Sequence, residues 1–361
     1  MSSHREIYRA EQLPVFQNRM FASEQAAKDC VRGNVVLVQD SSTGLIFNHA
    51  FDPELMRYDS DYQNEQGHSG AFRTHLAQVA QIIQGHFRGQ TLIEVGCGKG
   101  AFLEQLQGLG FQITGLDPTY EGDNPAVIRE YFTPSTGLRA DGLILRHVLE
   151  HVRDPVHFLA QLRDANGGAG KIYIEVPCVD WIADHRAWFD VFYEHVNYFR
   201  LSDFERIFGR MHETGRLFGA QYIYVVADLA SVRTPAASAS HRFDFPRDFL
   251  GSLTRGASAL ALSRRQAPRQ VAVWGAASKG VIFALLMQRA GAEVDIVVDI
   301  NPAKQGKFLA ATGARVHSPE ETLRRLAPGT DLFVMNGNYL DEIQSLTAHQ
   351  FNCITLDHEN I

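Results

Sequence analysis

Thr91-Leu-Ile-Glu-Val-Gly-Cys-Gly-Lys-Gly100, followed by Ile113-Thr-Gly-Leu-Asp117, holds the first set of residues whose types and spacing suit a definite chemistry. An apolar strand runs into a glycine turn, then a helix, then a second strand ending on a carboxylate. The glycines let the backbone come close to a ligand, and an acid about 20 residues further on can accept hydrogen bonds from both ribose hydroxyls. The turn has the GxGxG form rather than the full GxGxxG. A lone glycine motif is a weak signal, but strand, turn, helix, strand and acid follow here in the right order. The stretch predicts an adenosyl-type ligand held by Glu94, Gly96, Cys97, Gly98, Asp117 and Pro118.

Two further stretches could carry chemistry. Arg146-His147-Val-Leu-Glu150-His151-Val-Arg-Asp154-Pro155 closes a later strand. In an open α/β sheet ligands sit beyond the carboxyl ends of the strands, so His147 could face the same crevice. Asp154 and Pro155 also read as a helix cap and first helical position. His147 and His151 stand at i, i+4, but the pattern supplies no third ligand and no metal is expected. Tyr193-Glu194-His195-Val-Asn197-Tyr198-Phe199 sets an imidazole beside a carboxylate that could fix its tautomer or raise its basicity. The structural alternative is a semi-buried turn whose histidine only satisfies backbone groups.

The glycine turn resembles the first motif of class I S-adenosylmethionine-dependent methyltransferases. Together with HVLEHVRDP, YEHVNYF, the turn Gly275-Ala-Ala-Ser-Lys-Gly280 and VVDINPAKQGK, it makes the chain similar, from about residue 50 onward, to the deoxysugar C-methyltransferases. That resemblance implies methyl transfer from S-adenosylmethionine, leaving S-adenosyl-L-homocysteine, to a carbon next to a ketone in a nucleotide-linked keto-deoxysugar. It implies His195 as the base, Glu194 and Tyr193 as its partners in a catalytic YEH motif, and Tyr62 as a further active-site tyrosine. Asn64, Asn197, Ser278, Lys279 and Asn338 are the substrate-binding candidates. Two departures stand out. The family's N-terminal zinc cysteines are missing apart from Cys30, so no structural zinc is expected, and the usual Pro-Gly-Thr run is replaced by Phe308-Leu-Ala-Ala-Thr-Gly313. Two rival functions remain open: O- or N-methylation of another small metabolite, and a non-catalytic cofactor-binding partner protein.

Positioning these residues calls for an α/β chain with three units. Residues 1–72 read as a small cap with a hairpin at Val35–Val38 and Leu45–Phe47. Residues 73–230 read as a doubly wound central unit, with strands at Leu92–Val95, Ile113–Leu116, Gly142–Leu145 and Lys171–Val176 alternating with helices. A late strand at Gln221–Ala227 and the Ser/Ala-rich piece Ser231–Ser240 precede a C-terminal Rossmann-like unit, residues 231–361. Its turn Gly275–Gly280, with Asp299 ending the next strand, also reads as a dinucleotide site, but it lacks the middle glycine and Lys279 intrudes. Lys279 at the helix start could instead hold a phosphate, or simply be solvated.

Composition narrows the classes further. The 361 residues are 45% hydrophobic and 21% charged, an ordinary globular balance, with a net charge of −7. That charge disfavours nucleic acid and anionic membranes as partners and leaves a small molecule. Four scattered cysteines without a CxxC pair, and an N-terminus without an apolar export segment, predict a cytoplasmic protein.

Overall fold

The computed structural model describes residues 4–56, 67–266 and 270–356. In the N-terminal region β1 (His4–Pro14), α1 (Glu24–Lys28), β2 (Arg32–Asp40) and β3 (Ile46–Asn48) precede the long helix α2 (Gly70–Phe87). The central sheet follows, with β4 (Thr91–Val95), α3 (Ala101–Gly108), β5 (Gln112–Leu116), β6 (Val127–Ile128), β7 (Gly142–Arg146), α4 (Pro155–Ala165) and β8 (Lys171–Pro177). Next come α5 (Val179–Asp184), β9 (Asn197–Tyr198), α6 (Leu201–Ile207), β10 (Met211–Leu217) and β11 (Tyr222–Asp228). The last part holds α7 (Gly251–Gln266), β12 (Val271–Trp274), α8 (Ser278–Arg289), β13 (Ile296–Val298), β14 (Val316–His317), α9 (Pro319–Arg325), β15 (Asp331–Val334), α10 (Leu340–Leu346) and β16 (Asn352–Thr355).

These strands build three sheets. The N-terminal sheet runs β1-β2-β3-β9 and is antiparallel throughout. The central sheet runs β10-β11-β8-β7-β4-β5-β6, with β11 antiparallel to both its neighbours and the other pairs parallel. The C-terminal sheet, β14-β13-β12-β15-β16, is all parallel. The parallel strands are near-continuous apolar runs because helices cover both faces. Leu143, Ile144 and Leu145 of β7 are completely buried, as are Ile172, Tyr173, Ile174 and Val176 of β8.

Helix α2 closes one face of the central sheet. Ser69 caps it by accepting from the Phe72 N–H at 3.3 Å, and Phe72, Leu76, Val79, Ile83 and Phe87 make its buried stripe at helical spacing. As the residue order suggested, the Asp154 carboxylate caps α4, accepting from the His157 N–H at 3.0 Å, with Pro155 in its first turn. One continuous apolar core links all three sheets, running from Leu37 through Ile174 to Phe283. Trp188 stacks on Phe283 of α8 at 5.8 Å between ring centroids.

The structure redraws the expected divisions. The boundary at 72/73 falls inside α2, and the N-terminal sheet takes its last strand, β9, from residues that lie between β8 and β10. Strands β1, β6, β9, β10, β14 and β16 were not anticipated. Among the described residues no helix is long and apolar enough to cross a membrane.

Candidate active site

The turn after β4 has the backbone its glycines require. Gly96 has φ +72°, and a Cβ there would lie 2.6 Å from Val148 Cγ2, so the turn packs directly on the segment that follows β7. Gly98, at φ +55°, has nothing within 4 Å of its missing Cβ and leaves an open approach to the chain. Asp117, at the end of β5, accepts from the Gly98 N–H and the Thr119 N–H, both at 2.8 Å, and from the Thr119 hydroxyl at 2.7 Å. A carboxylate offers about four lone-pair sites, so capacity remains for a ribose hydroxyl.

Glu94 lies beneath this turn, 3% exposed, and its Oε2 has no hydrogen-bond partner among the described residues. Burial pushes its carboxyl up to about 7, against the pull of the Arg146 guanidinium and with help from Asp117. An orphaned buried carboxylate oxygen, an acid at the next strand end and an uncovered glycine together fit an adenosylated amino acid, whose ammonium would satisfy Glu94.

His147 follows β7 in a left-handed conformation, φ +52°, which non-glycine residues rarely adopt. Its Nε2 lies 2.9 Å from Glu175 Oε1, and its Nδ1 lies 3.4 Å from Glu150 Oε1. Burial opposes its charge, but Glu150 and Glu175 prevail and raise the imidazole to about 9. Glu175 itself is a hub. His75 Nε2 lies 3.0 Å and Arg146 Nη2 3.3 Å from its Oε1, and the Tyr173 hydroxyl donates to Oε2 at 2.7 Å. Burial would raise its carboxyl, yet Arg146, His147 and His75 hold it well below the usual range. Sequence reasoning missed Glu175, although a lone acid inside the apolar strand Lys171-Ile-Tyr-Ile-Glu-Val must be paired when buried.

His147, Glu150, His151 and His195 line one cavity of about 260 Å³, together with Ser278 and Lys279 of the C-terminal unit. It opens between the carboxyl ends of the central strands and the glycine turn after β12. The His195 ring is 8% exposed and packs on Phe192 at 4.0 Å and His151 at 5.1 Å between ring centroids. Burial, aided by His151, His147 and Lys279, holds its pKa well below the ordinary imidazole range. It therefore carries a free lone pair at neutral pH. His151 does not share a helical face with His147, because residues 149–151 form a single 3-10 turn. Its Nδ1 lies 2.8 Å from the Glu194 carbonyl instead.

Several expected contacts are reassigned. Glu194 does not orient His195: its Oε2 accepts the Gln17 N–H at 3.0 Å, since adjacent side chains leave the loop in different directions. Among the described residues no hydrogen bond reaches the His195 ring. Tyr193 is fully buried against Gly33, and its hydroxyl accepts from the Asp52 N–H at 2.8 Å, so it anchors the N-terminal region and faces away from the cavity. Asn197 donates to the Val152 carbonyl and braces the loop. Asn338 donates to the Phe218 carbonyl at 2.9 Å, bridging to the β10–β11 turn, while Asn336 faces the cavity in its place. Lys279 is already paired, with Asp190 Oδ2 at 2.9 Å and Gln221 Oε1 at 3.1 Å. The Ser278 hydroxyl accepts from Asn18 Nδ2 at 3.2 Å, a cavity residue with no signal in the sequence. Tyr62 and Asn64 lie outside the described residues.

Taken in chain order, the central strands are arranged third, second, first, fourth, fifth, seventh, sixth, with only the seventh reversed. With the glycine turn and the acid at the first two strand ends, this is the class I methyltransferase fold. In line with it, residues 68–211 match the family described as "Methyltransferase domain". The central unit thus carries a methyltransferase domain. Residues 250–352 match the "C-methyltransferase C-terminal domain".

Similar proteins include a tRNA U34 carboxymethyltransferase of Dichelobacter nodosus, 31% identical over 127 residues, which are 28% of this chain and 41% of that protein. A ubiquinone biosynthesis O-methyltransferase of Caulobacter vibrioides is 30% identical over 89 residues, 20% of this chain and 35% of that one. The chain thus spans less than half the length of these curated relatives. Among solved structures, the 1,6-didemethyltoxoflavin-N1-methyltransferase of Burkholderia thailandensis, with bound 1,6-didemethyltoxoflavin and S-adenosylhomocysteine, is 13% identical. It covers 51% of this chain and 95% of its own, with a TM-score of 0.33.

Proposed function

We propose that the protein transfers a methyl group from S-adenosylmethionine to a carbon next to a ketone, in a small keto compound of the nucleotide-linked deoxysugar class, with His195 as general base. The observation that carries this reading is the His195 imidazole, without a hydrogen-bond partner among the described residues and lining a cavity shared by the methyltransferase strands and the C-terminal unit, where burial favours its neutral form. The family description of residues 250–352 supports carbon as the acceptor.

When bound, S-adenosylmethionine supplies an electrophilic methyl on a sulfonium. Glu94, Gly98 and Asp117 would hold it. A carbon beside a ketone becomes nucleophilic only after losing a proton. His195 takes that proton, and the cations Lys279 and His147, each balanced by carboxylates, favour the negative charge that develops on the carbonyl oxygen. The nucleophilic carbon so formed would accept the methyl group, with the neutral thioether of S-adenosylhomocysteine as the leaving group. Asn18, Ser278 and Asn336 offer polar contacts to the remainder of the acceptor.

The test is proton–deuterium exchange at the acceptor carbon in heavy water without methyl donor, across a panel of keto-sugar nucleotides. Exchange by the wild-type protein, and its loss in His195→Ala, is the expected result. Product formed on oxygen or nitrogen without carbon exchange would instead favour an O- or N-methyltransferase, the activity named for two of the similar proteins. Donor binding without turnover on any acceptor would favour a non-catalytic partner protein.

A further inference from the structure

We propose that Glu150, His151 and His195 form a binding site for one divalent transition-metal ion, and that its occupation silences the enzyme by engaging the imidazole that takes the substrate proton. The silencing step rests on the reading of His195 as base, while the site itself stands on geometry alone.

Each of the three residues offers one ligand atom, and these atoms lie within 4.8 Å of one another. Two separate elements bring them together and are tied by backbone: the Val196 N–H donates to the Glu150 carbonyl at 2.8 Å. His151 Nδ1 lies 2.8 Å from the Glu194 carbonyl, which fixes the proton there and leaves the Nε2 lone pair free. A ring N–H given to a backbone carbonyl is the usual outer support of a metal-ligating histidine. The independent pointer is Glu150. Its side chain is 1% exposed, and Oε2 has no hydrogen-bond partner among the described residues, although burying such an atom unpaired is costly. A cation between the three side chains would satisfy it.

A second trio, His75, His147 and Glu175, satisfies the same distance criterion and does not make the same case. Both oxygens of Glu175 already accept from protein donors, Arg146 and Tyr173 among them. There the carboxylate is spent, whereas at Glu150 one oxygen is left over. Two imidazoles and one carboxylate suit Zn(II) or Co(II), and the positions left open face the cavity where the acceptor would sit. His147, near Glu150 Oε1, would support the carboxylate from outside.

The experiment uses the full chain, stripped by chelator and titrated with Co(II) while the visible ligand-field absorption is followed. One equivalent should bind with a band typical of nitrogen and oxygen ligands. Glu150→Gln and, separately, His151→Gln should weaken binding on the order of 100-fold or more, with thermal melting showing that each variant stays folded. Histidine nitrogen NMR should show the His195 ring perturbed by one equivalent of Zn(II). Methyl transfer to an accepted keto-sugar nucleotide should fall in proportion to Zn(II) occupancy and return on chelation. No binding, or equal binding by wild type and both variants, overturns the site and leaves the base assignment standing. Stoichiometric binding with unchanged turnover overturns the silencing. Turnover retained by metal-free His195→Ala would overturn the base assignment on its own.

Discussion

At the scale of single residues, Glu94 and His195 are both buried, and burial moves their titrations in opposite directions. Glu94 is raised from 4.5 to about 7, so the folded chain holds a proton there that the unfolded chain has released. Stability conferred by that proton is complete below pH 4.5 and is lost as pH rises to about 7, a change of up to about 3 kcal/mol. Glu94→Gln should flatten this slope in a urea-denaturation series and at the same time weaken S-adenosylmethionine binding, measured by calorimetry, because the ammonium loses its charged partner. His195 is held well below the imidazole range, so the acid limb of kcat/KM should also lie below that range. His195→Ala should lower kcat by about 10²–10⁴-fold with donor affinity almost unchanged. Tyr193→Phe should behave differently, costing about 0.5–1.5 kcal/mol of stability through the lost Asp52 contact and affecting chemistry only through loop position. The YEH motif was visible in the sequence. The directions of Tyr193, Glu194 and Asn197 were not, because they depend on a turn whose partners, Gln17, Asp52 and Val152, are distant in sequence.

At the scale of elements, the sequence was most readable where a strand is covered on both faces. The runs Leu92–Val95, Leu143–Leu145 and Ile172–Val176 are apolar because nothing else fits between two layers of helix, and they were located to within a residue or two. Strand β1, with Arg5, Glu6 and Arg9 along it, looks polar because it lies at the edge of its sheet; β10 is half solvated, and β6 and β14 are two residues long. Such strands owe their existence to a neighbour's unpaired backbone rather than to their own pattern. The turn after β4 was readable for a different reason, since its glycines are demanded by backbone geometry. Gly96→Ala would combine a left-handed φ with a Cβ 2.6 Å from Val148. It should cost about 1–3 kcal/mol in chemical denaturation, and displace Val148 and His147 enough to abolish donor binding.

At the scale of the whole molecule, the cavity exists only where the C-terminal sheet meets the methyltransferase sheet. Gln221 and Asn336 exchange two amide hydrogen bonds across that junction, Nε2 to Oδ1 at 2.8 Å and Nδ2 to Oε1 at 3.0 Å. Asn336→Leu would strand the Nε2 group of Gln221, a residue 2% exposed, while its Oε1 keeps Lys279, and should cost about 1–3 kcal/mol. The acceptor's KM should rise while donor affinity holds, a split readable by kinetics and calorimetry. With one apolar core joining the units, tryptophan fluorescence and circular dichroism should report a single coincident unfolding transition. The alternation of strands and helices announced two α/β units, but no local pattern could announce their junction, because it is made of pairs distant in sequence, such as Lys279 with Gln221 and Gln221 with Asn336.

Strand β9 has a consequence for how such chains diversify. Because Asn197 and Tyr198 complete a sheet begun near the N-terminus, the loop carrying His195 is stitched to the first 50 or so residues as well as to the strands on either side of it. Recombination that imports a new leading region alone would break that seam and leave the imidazole misplaced. A viable hybrid must inherit both pieces from the same parent, so two stretches separated by well over 100 residues behave as one heritable cassette.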